Sequence, residues 1–275
     1  MPKYSDFPSD EYEARCKRAQ KLMMEADLDA LLLSGIENVS YFTGFRTTHY
    51  SDTGYFFILP KVGQPKLMLP EGFERYKAEE LCWLYPDNIR FFMGAYPPPG
   101  VKQEDPTEVA AETIKQLGVK DDGRIGLEWD NPFAPMRPQI SLAEYESLKS
   151  KLSKARFVDG AELVWELRVI KSSREIEYLR KACKITYEAF RVGFESMRVG
   201  MTERELAQIV YLEMIKRGGF DTPLRAFCLS RSGERYRTGD PRPTDRKLKK
   251  GEMVSFDGGA TYKGYFADMI RIGCI

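Results

Sequence analysis

The sequence is almost without histidine: His49 is the one imidazole in 275 residues. A single histidine with no second imidazole defines no catalytic or zinc-binding constellation, and the simplest place for it, within RTTHYSDTGY, is a solvated loop. Cysteine is also sparse. Cys16, Cys82, Cys183, Cys228 and Cys274 are odd in number, widely scattered and contain no C-x-x-C pair, which argues against a zinc knuckle or a dithiol redox motif and fits reduced thiols in a cytoplasmic protein. Charge of either sign is not in excess: 42 basic residues face 41 acidic ones, for a formal net charge of +1. There is therefore no general electrostatic basis for binding nucleic acid or an anionic membrane surface. No apolar run approaches the length of a membrane span, and the opening MPKYSDFPSDEYEARCKRAQ has no apolar signal core. The expectation is a cytoplasmic location, with neither nucleic acid nor membrane as partner.

What is present is the composition of a globular chain, 43% hydrophobic and 30% charged, long enough for two domains. Ala19, Leu22, Met23 and Ala26 recur at a helical period after Ser9, and this helix is expected to end near Asp27. ALLLSGIENVSYFTGF reads as a buried strand, a turn and a second short element. YFFILP and PKLMLP read as adjacent strands, RYKAEELCWL as a helix, IRFFMG as a strand, PTEVAAETIKQLG as a helix opened by threonine, and RIGLEW as a further strand. Strands alternating with helices predict a layered α/β domain over residues 1–160. A second domain is expected over residues 165–275. There Ser172 with Glu175 and Thr202 with Glu205 stand at capping-box spacing before two long helices. The first should present Ile176, Leu179, Cys183, Ala189, Phe190 and Phe194 as one apolar face.

The stretch SFDGGATYKGYFADMIR carries Asp257 and Asp268 in alternating sequence. If the turn around Thr261 to Lys263 folds the segment into an antiparallel pair, both carboxylates can face one point. Two like charges among Phe, Tyr, Ile and Met would repel unless a cation compensates, and a hard divalent ion with oxygen ligands would do so. The alternative is that the aspartates terminate strands or cap turns, as Asp before Gly-Gly does.

Four segments together, IENVSYFTGF (36–45), ELRVIKSSREIEYLRKA (166–182), VGMTERELA (199–207) and PTDRKLKKGEMVSFDGGATYKGYFADMIR (243–271), resemble the creatinase, aminopeptidase P and prolidase family, in the right order over nearly the whole chain. The resemblance implies an α/β N-terminal creatinase-like domain followed by an α+β pita-bread domain, of which the first half is present. It also implies a pair of divalent metal ions (Mn, Co or Zn) held by two Asp, one His and two Glu. Asp257 and Asp268 match the two aspartate ligands. In peptidase members the metals activate water and polarise the amide carbonyl before a proline. The histidine and both glutamates would be expected beyond Asp268, where only seven residues follow. The expectation is thus a C-terminally truncated chain that is inactive alone and binds metal weakly or not at all.

Asp240 stands where peptidase members of the family carry a histidine. It is a candidate acid or base, although a turn residue in Gly-Asp-Pro is the simpler reading. His49 is a candidate substrate contact, because family dimers lend an N-terminal loop to the partner's site. Arg231, Arg235, Arg237, Arg242 and Arg246 crowd one segment, which reads as a solvated loop or as a contact for an anionic substrate group. The leading functional expectation is an Xaa-Pro peptidase acting as a homodimer on peptides. The alternatives are a creatinase-like C–N hydrolase or lyase acting on a small zwitterionic metabolite, and a non-enzymatic dimerising form.

Overall fold

Four consecutive apolar residues, Ala30–Leu33, form the central strand β1, and all four are buried. Such a run needs cover on both faces of its sheet. The computed structural model describes residues 4–47, 55–94, 97–129, 139–219, 227–237 and 242–275. It divides into two units, Met1–Ile170 and Lys171–Ile275.

In the first unit, β1 is joined by β2 (Phe56–Pro60), β3 (Lys66–Pro70), β4 (Ile89–Phe92), β5 (Arg124–Leu127) and β6 (Arg156–Asp159) in the order β4-β3-β2-β1-β5-β6. The sheet is mixed: β1 pairs antiparallel with β2 and parallel with β5. Helices α4 (Pro106–Gln116) and α5 (Leu142–Lys151) cover one face, packing Val109, Ala110, Ile114 and Leu148 on Leu32, Ile58, Ile125 and Leu127. Helix α1 (Ser9–Glu25) packs with α2 (Ile36–Thr43) and α6 (Ala161–Val169), while α3 (Phe73–Leu81) follows β3. The alternate residues Leu31, Leu33, Phe57 and Leu59 are also fully buried, and Phe42 of α2 stacks on Phe57 at 5.1 Å.

Helix α1 runs from Ser9, behind Pro8, to Glu25, close to its expected end near Asp27, whose φ of 53° lies in the left-handed region. One element start differs from the expected one. Helix α4 is opened not by threonine but by Asp105, whose carboxylate accepts from the Thr107 N–H, with Pro106 in the first turn.

In the second unit, α7 (Ser173–Ser196) and α8 (Glu203–Lys216) each begin with a complete capping box, Ser172 with Glu175 and Thr202 with Glu205. They back an antiparallel sheet of β7 (Phe227–Ser232), β8 (Met253–Gly259) and β11 (Met269–Cys274), in the order β11-β8-β7. The buried face of α7 is Ala182, Ile185, Thr186, Ala189, Phe190 and Gly193; Ile176 is 37% exposed. Of the expected face, Ala189 and Phe190 are buried and Phe194 packs on the core, whereas Ile176, Leu179 and Cys183 give way to Ala182, Ile185 and Thr186, so the buried stripe is rotated from the expected one. Phe256 of β8 lies between Phe190 and Phe194, 5.2 and 4.6 Å away. A side chain at Gly193 would fall 2.6 Å from Val210 and 2.9 Å from Phe256, so glycine there sets how closely α7 approaches both α8 and the sheet.

Candidate metal centre

The aspartates are placed by register. On β8, Val254 and Phe256 enter the helix-backed core, so Ser255, Asp257 and Gly259 belong to the opposite face. In the β8/β11 ladder Asp257 pairs with Ile270 and Gly258 with Met269. The hairpin continues into β9 (Thr261–Tyr262) and β10 (Tyr265–Phe266), where Tyr262 pairs with Tyr265, and the Ala267 N–H donates to the Ala260 carbonyl at 3.0 Å. Asp268 therefore lies opposite Gly259, on the face that carries Asp257 and one diagonal step from it. The tight turn falls at Lys263 and Gly264, with φ values of 48° and 77°. That pair of positive values is the hairpin turn that keeps this register. At Gly259 a Cβ would lie 1.7 Å from the Ala267 carbonyl oxygen, so only glycine admits the strand that brings Asp268 across.

The hairpin is fixed from the helix side. The Ala260 N–H donates to the buried Thr186 hydroxyl at 2.9 Å, the Tyr265 hydroxyl donates to Glu175 at 2.8 Å, and Tyr178 meets the rings of Tyr262 and Tyr265 edge-on. Asp257 is 22% exposed at its side chain and Asp268 is exposed.

Sequence reading missed what neutralises the neighbouring charges. Arg231, on β7, is paired with Ser255 in register and reaches diagonally to Asp257, with its Nη2 3.0 Å from Oδ2. Glu203, wholly buried at the start of α8, accepts from the N–H and hydroxyl of Ser232, from the N–H and hydroxyl of Thr244, and from the Arg235 guanidinium. Arg246 forms a two-point pair with Glu252 at 2.5 and 2.8 Å and also donates to the Ser232 hydroxyl. That guanidinium holds the Glu252 carboxyl down at about 2, and the carboxylate in turn raises the arginine. The side chains of Arg231, Arg235 and Arg246 are only 14 to 16% exposed. For these three the solvated loop is corrected to an internal ion network. The available signal was their alternation with Ser232, Thr244 and two acidic residues.

His49 and Asp240 both lie outside the described residues. Among the described residues no three His, Cys, Asp or Glu side chains gather in the manner of a metal site, and no helix is long and apolar enough to cross a membrane. The donor chemistry of Asp257 and Asp268 fits a hard divalent cation, with two oxygens-only ligands on one face. The described residues add no third His, Cys, Asp or Glu donor.

A mixed α/β unit is followed by a helix-backed antiparallel sheet that carries two carboxylates on its other face. The comparisons agree. Residues 15–170 match the creatinase/prolidase N-terminal domain, and residues 177–275 match metallopeptidase family M24. The chain is 29% identical over 260 residues to a putative dipeptidase of Bacillus subtilis, covering 94% of this chain and 64% of that protein. It is 28% identical over 282 residues to the ectoine hydrolase of Halomonas elongata, covering 96% and 66%. The structure of a prolidase from Thermococcus sibiricus superposes with a TM-score of 0.74 at 25% identity, covering 96% of this chain and 65% of that one. The chain belongs to the creatinase/prolidase family, and it spans about two thirds of the length of these relatives.

Proposed function

We propose that the parent activity is metal-dependent hydrolysis at an Xaa-Pro bond, with Asp257 and Asp268 as the first two ligands of a two-metal site taking Mn, Co or Zn. The observation that carries this reading is their common face: register sets them one diagonal step apart on the side of the sheet that the helices leave uncovered. When bound, divalent ions supply Lewis-acid activation of a carbonyl and of water. This chain's own part is to hold two carboxylates in fixed register, with Gly259 admitting the close approach and Thr186 and Glu175 pinning the hairpin. The match to metallopeptidase family M24 supports the peptidase class. The 275 residues alone supply two of five ligands, which do not enforce a two-metal geometry, so they are inactive by themselves. The working form is a homodimer in the cytoplasm acting on peptides.

A second reading, a C–N hydrolase or lyase acting on a small zwitterionic metabolite, is favoured by the match to the ectoine hydrolase. The arginine-rich segment gives it less support than its composition implies, because Arg231, Arg235 and Arg246 are already paired internally.

The test is side-by-side turnover of Xaa-Pro dipeptides and small zwitterions with added Mn²⁺, Co²⁺ or Zn²⁺. It compares the protein isolated from its native source, with its intact mass measured, against the 275-residue chain. Xaa-Pro turnover by the native-source protein alone is the expected result. Turnover of zwitterions in its place selects the second reading, turnover of neither selects a non-enzymatic dimerising form, and robust metal-dependent turnover by the 275-residue chain overturns its inactivity.

A further inference from the structure

Arg231 differs from the other paired arginines of its segment in the carboxylate it holds. Arg235 is committed to the buried Glu203, and Arg246 is committed to Glu252 through two contacts. Arg231 instead holds Asp257, a candidate metal ligand, through one contact at 3.0 Å, with the two side chains 16% and 22% exposed. Its Nε is buried without a hydrogen-bond partner, and so is the hydroxyl of Ser255 directly across the ladder. The guanidinium cannot shed its proton, so it remains a cation wherever it sits. It is thus a fixed charge held by one good contact, and moving outward would let its unanswered Nε meet water.

We propose that Arg231 is the resident counter-cation of Asp257 and that a divalent metal ion and the guanidinium hold this carboxylate in alternation. The proposal rests on the metal-ligand reading of Asp257. A guanidinium and a divalent ion on one carboxylate would stand within a few ångströms of each other and repel in a half-buried, weakly screened place. Asp268 adds a second negative charge on the same face, which a doubly charged ion balances and a single guanidinium does not. Arg231 therefore raises the metal concentration needed to load the site, and its release from Asp257 accompanies loading. The long, unbranched arginine stem permits that swing without any change in the ladder.

The experiment is Mn²⁺ binding, followed by electron paramagnetic resonance of the unbound ion, on the 275-residue protein and the variants Arg231→Gln, Arg231→Lys, Asp257→Asn and Arg231→Gln with Asp257→Asn. Folding is checked by far-ultraviolet circular dichroism, and Arg231→Met, which keeps much of the apolar stem, replaces Arg231→Gln if the latter is unfolded. Neutralising Arg231 is expected to tighten Mn²⁺ binding on the order of tenfold. Lysine keeps the charge and stays near the wild type, and the gain vanishes when Asp257 is removed as well. Equal, Asp257-dependent affinities for wild type and Arg231→Gln would overturn the alternation while leaving Asp257 as a ligand. Absence of Asp257-dependent binding even in Arg231→Gln, titrated into the millimolar range, would overturn the proposal, while the ligand reading itself is decided by turnover of the native-source protein.

Discussion

Glu203 and Ser232 are joined twice: the buried carboxylate accepts from the Ser232 N–H at 2.9 Å and from its hydroxyl at 2.8 Å, across 29 residues of sequence. This contact ties the first turn of α8 to the end of β7, and the same carboxylate gathers Thr244 and Arg235. Glu203→Ala takes from Ser232, Thr244 and the Arg235 guanidinium the one buried carboxylate they share. The expected loss is about 3–5 kcal/mol of unfolding free energy, read by urea denaturation. An unchanged midpoint would show that the network contributes nothing to stability.

Acid should release the Arg246–Glu252 pair. The Glu252 carboxyl is lowered from 4.5 to about 2 by the guanidinium. A group depressed in the folded state stabilises it above the unfolded value, and that contribution is lost as pH falls through the folded value. Stability is therefore expected to decline from about pH 4.5 toward pH 2, and Glu252→Gln should flatten part of that slope. The variant should also lose about 1.5–3 kcal/mol at pH 7, the size of a hydrogen bond to a charged partner.

Glu128 should titrate with the opposite sign. It is 4% exposed and receives the N–H groups of Ser34 and Gly35 and the amide of Asn38, yet burial pushes its carboxyl up. A raised folded value stabilises the fold below the unfolded value, and the contribution is lost as pH rises through the folded one. Glu128→Gln is expected to remove that decline, measured as melting temperature against pH above the ordinary carboxylate range.

Gly35→Ala should damage the same place by contact. The new methyl would lie 2.3 Å from a Glu128 carboxylate oxygen and 2.9 Å from Gln139. Displacing this buried carboxylate takes the acceptor from the Ser34 and Gly35 N–H groups and the Asn38 amide, with an expected cost of about 1–3 kcal/mol by chemical denaturation.

Thiol labelling should separate the cysteines by depth. Burial raises the thiols of Cys16 and Cys82 to about 12, while Cys274 is exposed. A thiol reagent at pH 8 is expected to modify Cys274 rapidly and Cys16 and Cys82 only after unfolding. Mass-mapped labelling reads both rates.

Much of the frame was legible in sequence because it rests on local chemistry. The capping pairs at Ser172 and Thr202 mark where two helices begin. The apolar run at Ala30–Leu33 marks a covered strand. The alternation around Asp257 and Asp268 places both on one face once a hairpin forms, and the four family segments give the class. All of these signals lie within a few residues of one another, where spacing alone decides geometry.

Only the tertiary structure decided which residues are electrically coupled. Nothing in the local sequence joins Arg231 to Asp257, Glu203 to Ser232 and Arg235, or Glu128 to Gly35, since each contact spans 26 to 93 residues. Such pairs depend on strand order, on register and on which face of a helix meets the sheet. The rotation of the buried face of α7 away from Ile176 has the same origin: the site of contact, rather than helical periodicity, chose the residues that pack. The sequence by itself determined many of the elements, though not α5, β6 or α6, together with the family and the two candidate ligands. The fold determined their counter-charges, because Coulomb interactions act through space and are strongest where folding has excluded water.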